Sequence, residues 1–294
     1  MKYYSLNDYL KREFGHKLYK LSLDGGFTCP NRDGLLGRGG CIFCLEGSGA
    51  FAGDKRLSIT EQIEQGKNLV KAKLNADGTK AYIAYFQSYT GTYGEVELLR
   101  EKYMEAVANP EVAIISIATR PDCLSAEILK LLGEINHIKP VWVELGLQTI
   151  HEKTATLIRR GYPLEVYDSA VESLKCIGIK VITHMIIGLP GETSDMMVET
   201  ARYIGQSGAW GIKFQLLHVL EGTDLAWMYR NGEFEVLSLE EYTQIVIDCL
   251  RVIPEEMVVH RITGDGDKRN LIAPTWSGDK KRVLNYMRKA IEDA

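Results

Sequence analysis

Six times along the chain a short run rich in Val, Ile, Tyr and Leu is followed by a longer run with helical spacing, and this alternation limits the fold more than any other feature. The strand-like runs are Lys17 to Asp24, Lys80 to Gln87, Val112 to Ala118, Val141 to Leu147, Lys180 to Ile187 and Gly211 to Leu217. Helices fill the gaps. Ser58-Ile59-Thr60-Glu61 has the form of a capping box ahead of Ile63, Leu69, Val70 and Leu74, and further helices are predicted over Val96 to Ala108, Ser125 to Ile135, Glu165 to Ile177 and Thr193 to Ser207. Strands separated by helices and short loops pair in parallel, through right-handed crossovers. Six such units predict an α/β fold, a partial (β/α)6 TIM-like barrel over residues 17–220 with a short C-terminal extension over 221–294. A chain of 294 residues with 45% hydrophobic content buries enough surface for one large core, so a single domain is expected. Working groups in such barrels gather at the C-terminal ends of the strands.

The cysteines bear on compartment as well as chemistry. Six Cys without an N-terminal apolar stretch, and without an uninterrupted apolar run near ~18 residues, argue against secretion, a disulfide framework or a membrane span. A reducing cytoplasm is the expected location. The formal charge of −4 does not announce a nucleic-acid binder, so any such partner must be met by a local patch. The slight basic excess lies at the ends, with 9 Lys and Arg against 6 Asp and Glu in residues 1–60, and 9 against 7 in residues 251–294.

Three of the six cysteines stand together as Cys29, Cys41 and Cys44, a C-x11-C-x2-C arrangement directly after the first strand. A structural zinc site wants a fourth Cys or His at matching spacing, and only the isolated Cys123 and His137 follow in the next hundred residues. Three thiolates without a fourth point to an iron–sulfur cluster with one iron left for an exogenous ligand. A zinc site, or three unrelated thiols, is the competing reading.

Along Val141 to Gln148, alternation puts Glu144, Gly146 and Gln148 on one face and Val143, Leu145 and Leu147 on the other. The polar face must point into the barrel, because a carboxylate packed against the outer helices would be desolvated without a partner. Gly146 leaves room for a ligand. His184 opens the segment Met185 to Glu192, a Gly- and Pro-rich turn that leads into the next helix. Arg120 lies on the rim after the third strand, as a holder of a carboxylate or as half of a structural ion pair. His218 and His260 read as core residues or proton carriers, and Arg261 and Asp265 as rim residues that meet substrate. Cys123, Cys176 and Cys249 are scattered and read as free thiols.

The cysteine loop, with Phe43 one place before the last Cys, resembles the cluster loop of the radical S-adenosylmethionine (SAM) superfamily. Its widened first gap is similar to that of the branch allied to the catalytic subunit of Elongator, and the likeness runs from Tyr19 to Trp276. It looks nearest to a compact bacterial subfamily linked to tRNA wobble-uridine modification. The resemblance implies a [4Fe–4S] cluster on Cys29, Cys41 and Cys44 that binds SAM and cleaves it to methionine and a 5′-deoxyadenosyl radical. It further implies that Phe43 and the turn Gly188, Leu189 and Pro190 lie near the adenine, that Gln148 and Arg160 contact SAM, and that the segment Phe86 to Tyr93, with Ser88 and Thr90, meets its ammonium group. Glu144 joins them on the inward face. Partners implied are tRNA and an electron donor such as flavodoxin or ferredoxin. The chain stops soon after Trp276, leaving no acetyltransferase domain, so the acetyl-CoA-dependent carboxymethylation is not expected to transfer; the step expected instead is removal of the carboxymethyl group of 5-carboxymethylaminomethyl-uridine, leaving 5-aminomethyl-uridine for a separate methyltransferase. A radical SAM enzyme acting on a small metabolite, heme precursor or peptide is the alternative; a non-catalytic zinc-binding nucleic-acid module is the third.

Overall fold

A computed structural model describes residues 1–45, 53–71, 82–264 and 266–294. Strands β1 (Tyr19–Leu23), β2 (Tyr82–Phe86), β3 (Val112–Thr119), β4 (Val141–Gln148), β5 (Lys180–Ile187) and β6 (Gly211–Leu216) pair in parallel in chain order. Between them run α2 (Ile59–Val70), α3 (Val96–Ala108), α4 (Ala126–Ile138), α5 (Glu152–Leu157), α6 (Leu164–Cys176) and α7 (Ser194–Gln206). Both faces of β2 and β3 are wholly buried, as a parallel sheet covered by helices on one side and curled on itself on the other requires.

Alternation along the strands sorts the core. Leu21, Ala84, Ile117, Val143, Met185 and Phe214 point outward into one large cluster with the helices. Ile83, Ile114, Trp142 and Ile182 belong to a second cluster, and they pack there with Tyr9 and Leu10 of α1 (Leu6–Phe14). Helix α1 thus closes the N-terminal end of the barrel. Its boundaries are local: the Ser5 hydroxyl accepts from the Asp8 amide, and Gly15 at φ +78° returns its N–H to the Lys11 carbonyl.

The sequence expectation of six strands falls one short. After β7 (Val219–Leu220), α8 (Asp224–Arg230) and α9 (Leu239–Val252), the C-terminal extension supplies β8 (Val258–Arg261), which joins the sheet beside β6. The sheet order is therefore β1-β2-β3-β4-β5-β6-β8. Four residues carry no period of their own; pairing with β6 is what makes β8 a strand. The extension ends with β9 (Leu271–Ala273), antiparallel to β7, and α10 (Lys280–Asp293).

The capping box at Ser58 and Glu61 forms in both directions. Its helix buries Ile59, Gln62 and Ile63, whereas Leu69 is 83% exposed, one residue and about 100° off the stripe that Ile59, Ile63 and Val70 make. Leu74, Lys80 and Ala81 of the sequence expectations lie outside the described residues. No helix among the described residues is long and apolar enough to cross a membrane.

Candidate active site at the C-terminal rim of the barrel

The eleven residues between Cys29 and Cys41 form a closed loop. The Cys29 carbonyl accepts from Arg32 and Asp33, the Pro30 carbonyl from Leu36, and Asn31 from Gly40. The chain thereby returns to its starting point and sets Cys41 and Cys44 near Cys29. Two contacts anchor this loop to the barrel: Asn31 donates to the Arg159 carbonyl at 2.6 Å, and the Ile42 amide donates to the Ile158 carbonyl. Asn31 also donates to the Cys41 sulfur at 3.6 Å.

All three thiols line a cavity of 340 Å³ together with Phe43, Thr90, Arg120, Glu144, Gln148, Arg160, His184 and Arg261. Burial, reinforced by the neighbouring Cys44, pushes the Cys41 thiol up to about 11, and burial raises Cys44 as well. In the metal-free protein these groups hold their protons, and a cationic centre must displace them. Among the described residues no three Cys, His, Asp or Glu side chains are grouped as ligands of one ion. Three free thiols on the wall of one cavity are the soft donor set that an iron–sulfur cluster takes.

Gln148 is placed by an unusual backbone. It has φ +70°, in the left-handed region, at the point where the pairing of β4 with β5 shifts register. Gly146 makes the room: a Cβ there would stand 2.9 Å from the Gln148 amide nitrogen. The sheet end thereby holds the Gln148 side chain on the cavity wall.

Beneath the thiols Glu144 is fully buried and saturated. One oxygen accepts from Lys20 at 2.7 Å and Ser116 at 2.8 Å; the other accepts from Lys213 and pairs with the His184 ring nitrogen at 2.8 Å. Burial works to raise its pKa, but the attraction of Lys20 and Lys213 and the bond with His184 outweigh it and hold the carboxyl well below the usual range. Burial lowers Lys213, with Glu144 pulling the other way and Lys20 and Arg261 pushing it further down. His184 is pushed down to about 4 by burial and by Lys213, so it is neutral at pH 7. With four partners already, Glu144 has no lone pair to spare for a cofactor and acts as the anchor of the cavity floor.

The sequence reading did not single out Lys20, Tyr85 and Lys213 here. A signal for Lys213 was available, since a lysine between Ile212 and Phe214 in a buried strand must face inward.

Other expected residues fall in varied places. Arg160 is 2% exposed and donates to the Tyr162 carbonyl at 3.0 Å, the Thr149 carbonyl at 2.6 Å and Glu152 at 2.7 Å. Arg120 makes a two-pronged pair with Asp122 at 2.8 and 2.7 Å. Arg261 donates to Gln215. Ser88 is buried off the cavity wall, while neighbouring Thr90 is on it. Gly188, Leu189 and Pro190 do not line the cavity; Leu189 packs in a cluster with Ile42 and Leu217, behind the cysteine loop. His260 lies edge-on between Trp142 and Trp210, and His218 is buried under Gly266. Cys249 is buried in the core and Cys176 exposed. Asp265 lies outside the described residues.

Comparison with known proteins agrees with this geometry. The radical SAM superfamily model matches residues 29–204, and a radical SAM C-terminal domain matches residues 209–293. The chain is 47% identical to the Bacillus subtilis protein YtqA over 293 residues, 99% of this chain and 90% of that protein. It is 30% identical over 155 residues to the tRNA uridine(34) acetyltransferase of Methanocaldococcus infernus, 51% of this chain and 28% of that protein. An archaeal Elp3 from Methanocaldococcus infernus with an N-terminal deletion superposes with a TM-score of 0.69 at 20% identity, over 93% of this chain and 63% of that one. Radical SAM enzymes work with a [4Fe–4S] cluster and SAM. The chain belongs to the radical SAM superfamily and is an enzyme of that chemistry.

Proposed function

We propose that the protein modifies the C5 side chain of a tRNA wobble uridine, converting 5-carboxymethylaminomethyl-uridine to 5-aminomethyl-uridine. The likeness to tRNA uridine(34) acetyltransferases supports the choice of nucleoside. The observation that carries the choice of side chain is the charge of the cavity: Arg261 lines it, and its single lining carboxylate, Glu144, is already neutralised by Lys20 and Lys213. A substrate that brings a carboxylate of its own complements such a surface, and a two-pronged bond from Arg261 would orient it.

In this reading Cys29, Cys41 and Cys44 hold the cluster, and Gln148, with Phe43 and Thr90, borders the SAM site. When bound, the cluster and SAM would supply a two-electron oxidation of the carboxymethyl C–N bond, with SAM as the net oxidant, after which water releases the carboxymethyl carbons as glyoxylate and leaves the amine. The chain's own residues do the rest. Glu144 keeps the floor rigid through strands β1, β3, β4, β5 and β6. Tyr162 and Arg120, stacked with the guanidinium 5.2 Å from the ring centre, wall the cavity against water. His184, held neutral, donates its ring N–H to Glu144 and adds no charge to the floor.

The test is nucleoside mass spectrometry of tRNA from cells with and without the gene, and of the same tRNA after incubation with reduced enzyme and SAM. The carboxymethylaminomethyl form should accumulate without the gene and fall on incubation. Unchanged wobble uridines in both experiments would pass the reading to a small metabolite or peptide.

A further inference from the structure

The barrel has a seam. β1 pairs with β2 and β8 with β6, and the chain near Tyr4 and Ser5 borders β8, where the Val259 amide donates to the Tyr4 carbonyl at 2.8 Å. A groove of 880 Å³ runs along the seam, bounded by β1, the N-terminal segment, β8 and α10. Six cationic side chains line it, Lys17, Lys20, Lys213, Arg261, Lys280 and Arg288, and among the described residues no Asp or Glu does. In a chain of formal charge −4 this is a concentrated positive field.

The cations are laid out along a line. Lys280, Leu284 and Arg288 recur every four residues on α10, so they form one stripe of the helix beside the groove, while Val283, Met287 and Ile291 form the stripe buried in the core. Eight residues separate Lys280 from Arg288, about 12 Å along the axis. A lone carboxylate cannot engage both; a chain of repeated negative charges can. The groove also leads somewhere. Tyr85, Gln87 and Arg261 line both it and the cavity of the three thiols, so the seam opens onto the same interior space. Of the basic residues that the terminal segments offer, Lys17 and Lys280 reach the groove, whereas Lys11, Arg12, Lys281 and Arg282 do not line it.

We propose that the seam is a phosphate-binding channel, which holds the ribose–phosphate backbone of the RNA strand beside the nucleotide whose base enters the cavity. This rests on the wobble-uridine reading and adds the place where the strand lies. Single-stranded loops present such splayed bases, and the backbone around them carries the regular charge that the groove matches. Lys17, Lys280 and Arg288 are exposed and make the outer contacts; Arg261 stands at the junction with the cavity.

The test measures binding of an anticodon stem-loop RNA to the reconstituted enzyme by fluorescence anisotropy across a salt series. Lys17→Gln, Lys280→Gln and Arg288→Gln combined should lower the slope of log K against log salt by about two, since each single-strand phosphate that a cation neutralises contributes roughly 0.7. Lys281→Gln with Arg282→Gln, on the same helix but outside the groove, should leave the slope as it is. Thermal melting checks that the triple variant is folded. An unchanged slope in a folded triple variant would overturn the channel and leave the wobble-uridine reading standing. Equal competition by polyglutamate of matched charge would overturn the assignment to RNA. If the unaltered enzyme binds no RNA, the channel is refuted outright, and the tRNA nucleoside comparison then decides whether the substrate reading falls with it.

Discussion

Replacing Glu144 by Gln keeps the shape of the cavity floor and removes its only negative charge. Lys213 is the group left exposed to the consequence: its side chain is 6% accessible, against 23% for Lys20, so Lys20 can turn toward solvent and Lys213 cannot. Leaving one member of a buried pair uncompensated costs about 3–5 kcal/mol, and the part-exposed Lys20 adds little beyond that. We expect Glu144→Gln to lose about 3 kcal/mol in urea unfolding of the metal-free protein at pH 7.5. Adding Lys213→Met removes the orphaned charge and should recover part of the loss, with a coupling of about 1–3 kcal/mol between the two sites. The pH dependence has a definite sign. Glu144 is depressed in the fold, so its contribution is present above the ordinary value of 4.5 and disappears as pH falls through the lower folded value. His184 is depressed as well, from 6.5 to about 4, so its share is full above pH 6.5 and is lost as pH falls toward 4. Wild-type stability should therefore decline from pH 6.5 downward and more steeply below 4.5. A loss under about 1 kcal/mol for Glu144→Gln at pH 7.5 would refute the argument, because it would mean that Lys213 carries no buried charge.

Cys41→Ala should abolish cluster binding on anaerobic reconstitution, while Cys249→Ala should retain about four iron and four sulfide per chain, as iron and sulfide assays would report. Stoichiometric zinc without iron in anaerobically purified protein would overturn the cluster assignment. Arg160→Ala strands two buried carbonyls, so it should cost roughly 2–4 kcal/mol in unfolding and weaken SAM binding together; weaker SAM binding at unchanged stability would instead make Arg160 a direct ligand. Gly146→Ala puts a methyl 2.9 Å from the Gln148 amide, and should weaken SAM binding by calorimetry with little change in melting temperature.

Local features of the sequence carried a large part of this protein. The strand and helix periods are properties of neighbouring residues, and they suffice for a parallel sheet with its loops on one rim. The C-x11-C-x2-C loop and the inward face of Glu144, Gly146 and Gln148 are local in the same sense, and all three thiols and all three of these residues line one cavity. What tertiary structure alone decided is which distant groups meet. Lys20 and Lys213 stand 124 and 69 residues from Glu144, and only the order of strands brings them to it. β8 is too short to announce itself, and it exists because β6 offers an edge. The convergence of Lys17, Lys280 and Arg288 on one groove has the same origin. A side chain's direction follows from the alternation of its own strand, but its partner is set by sheet order and by the path of the chain ends, which no short stretch of sequence contains.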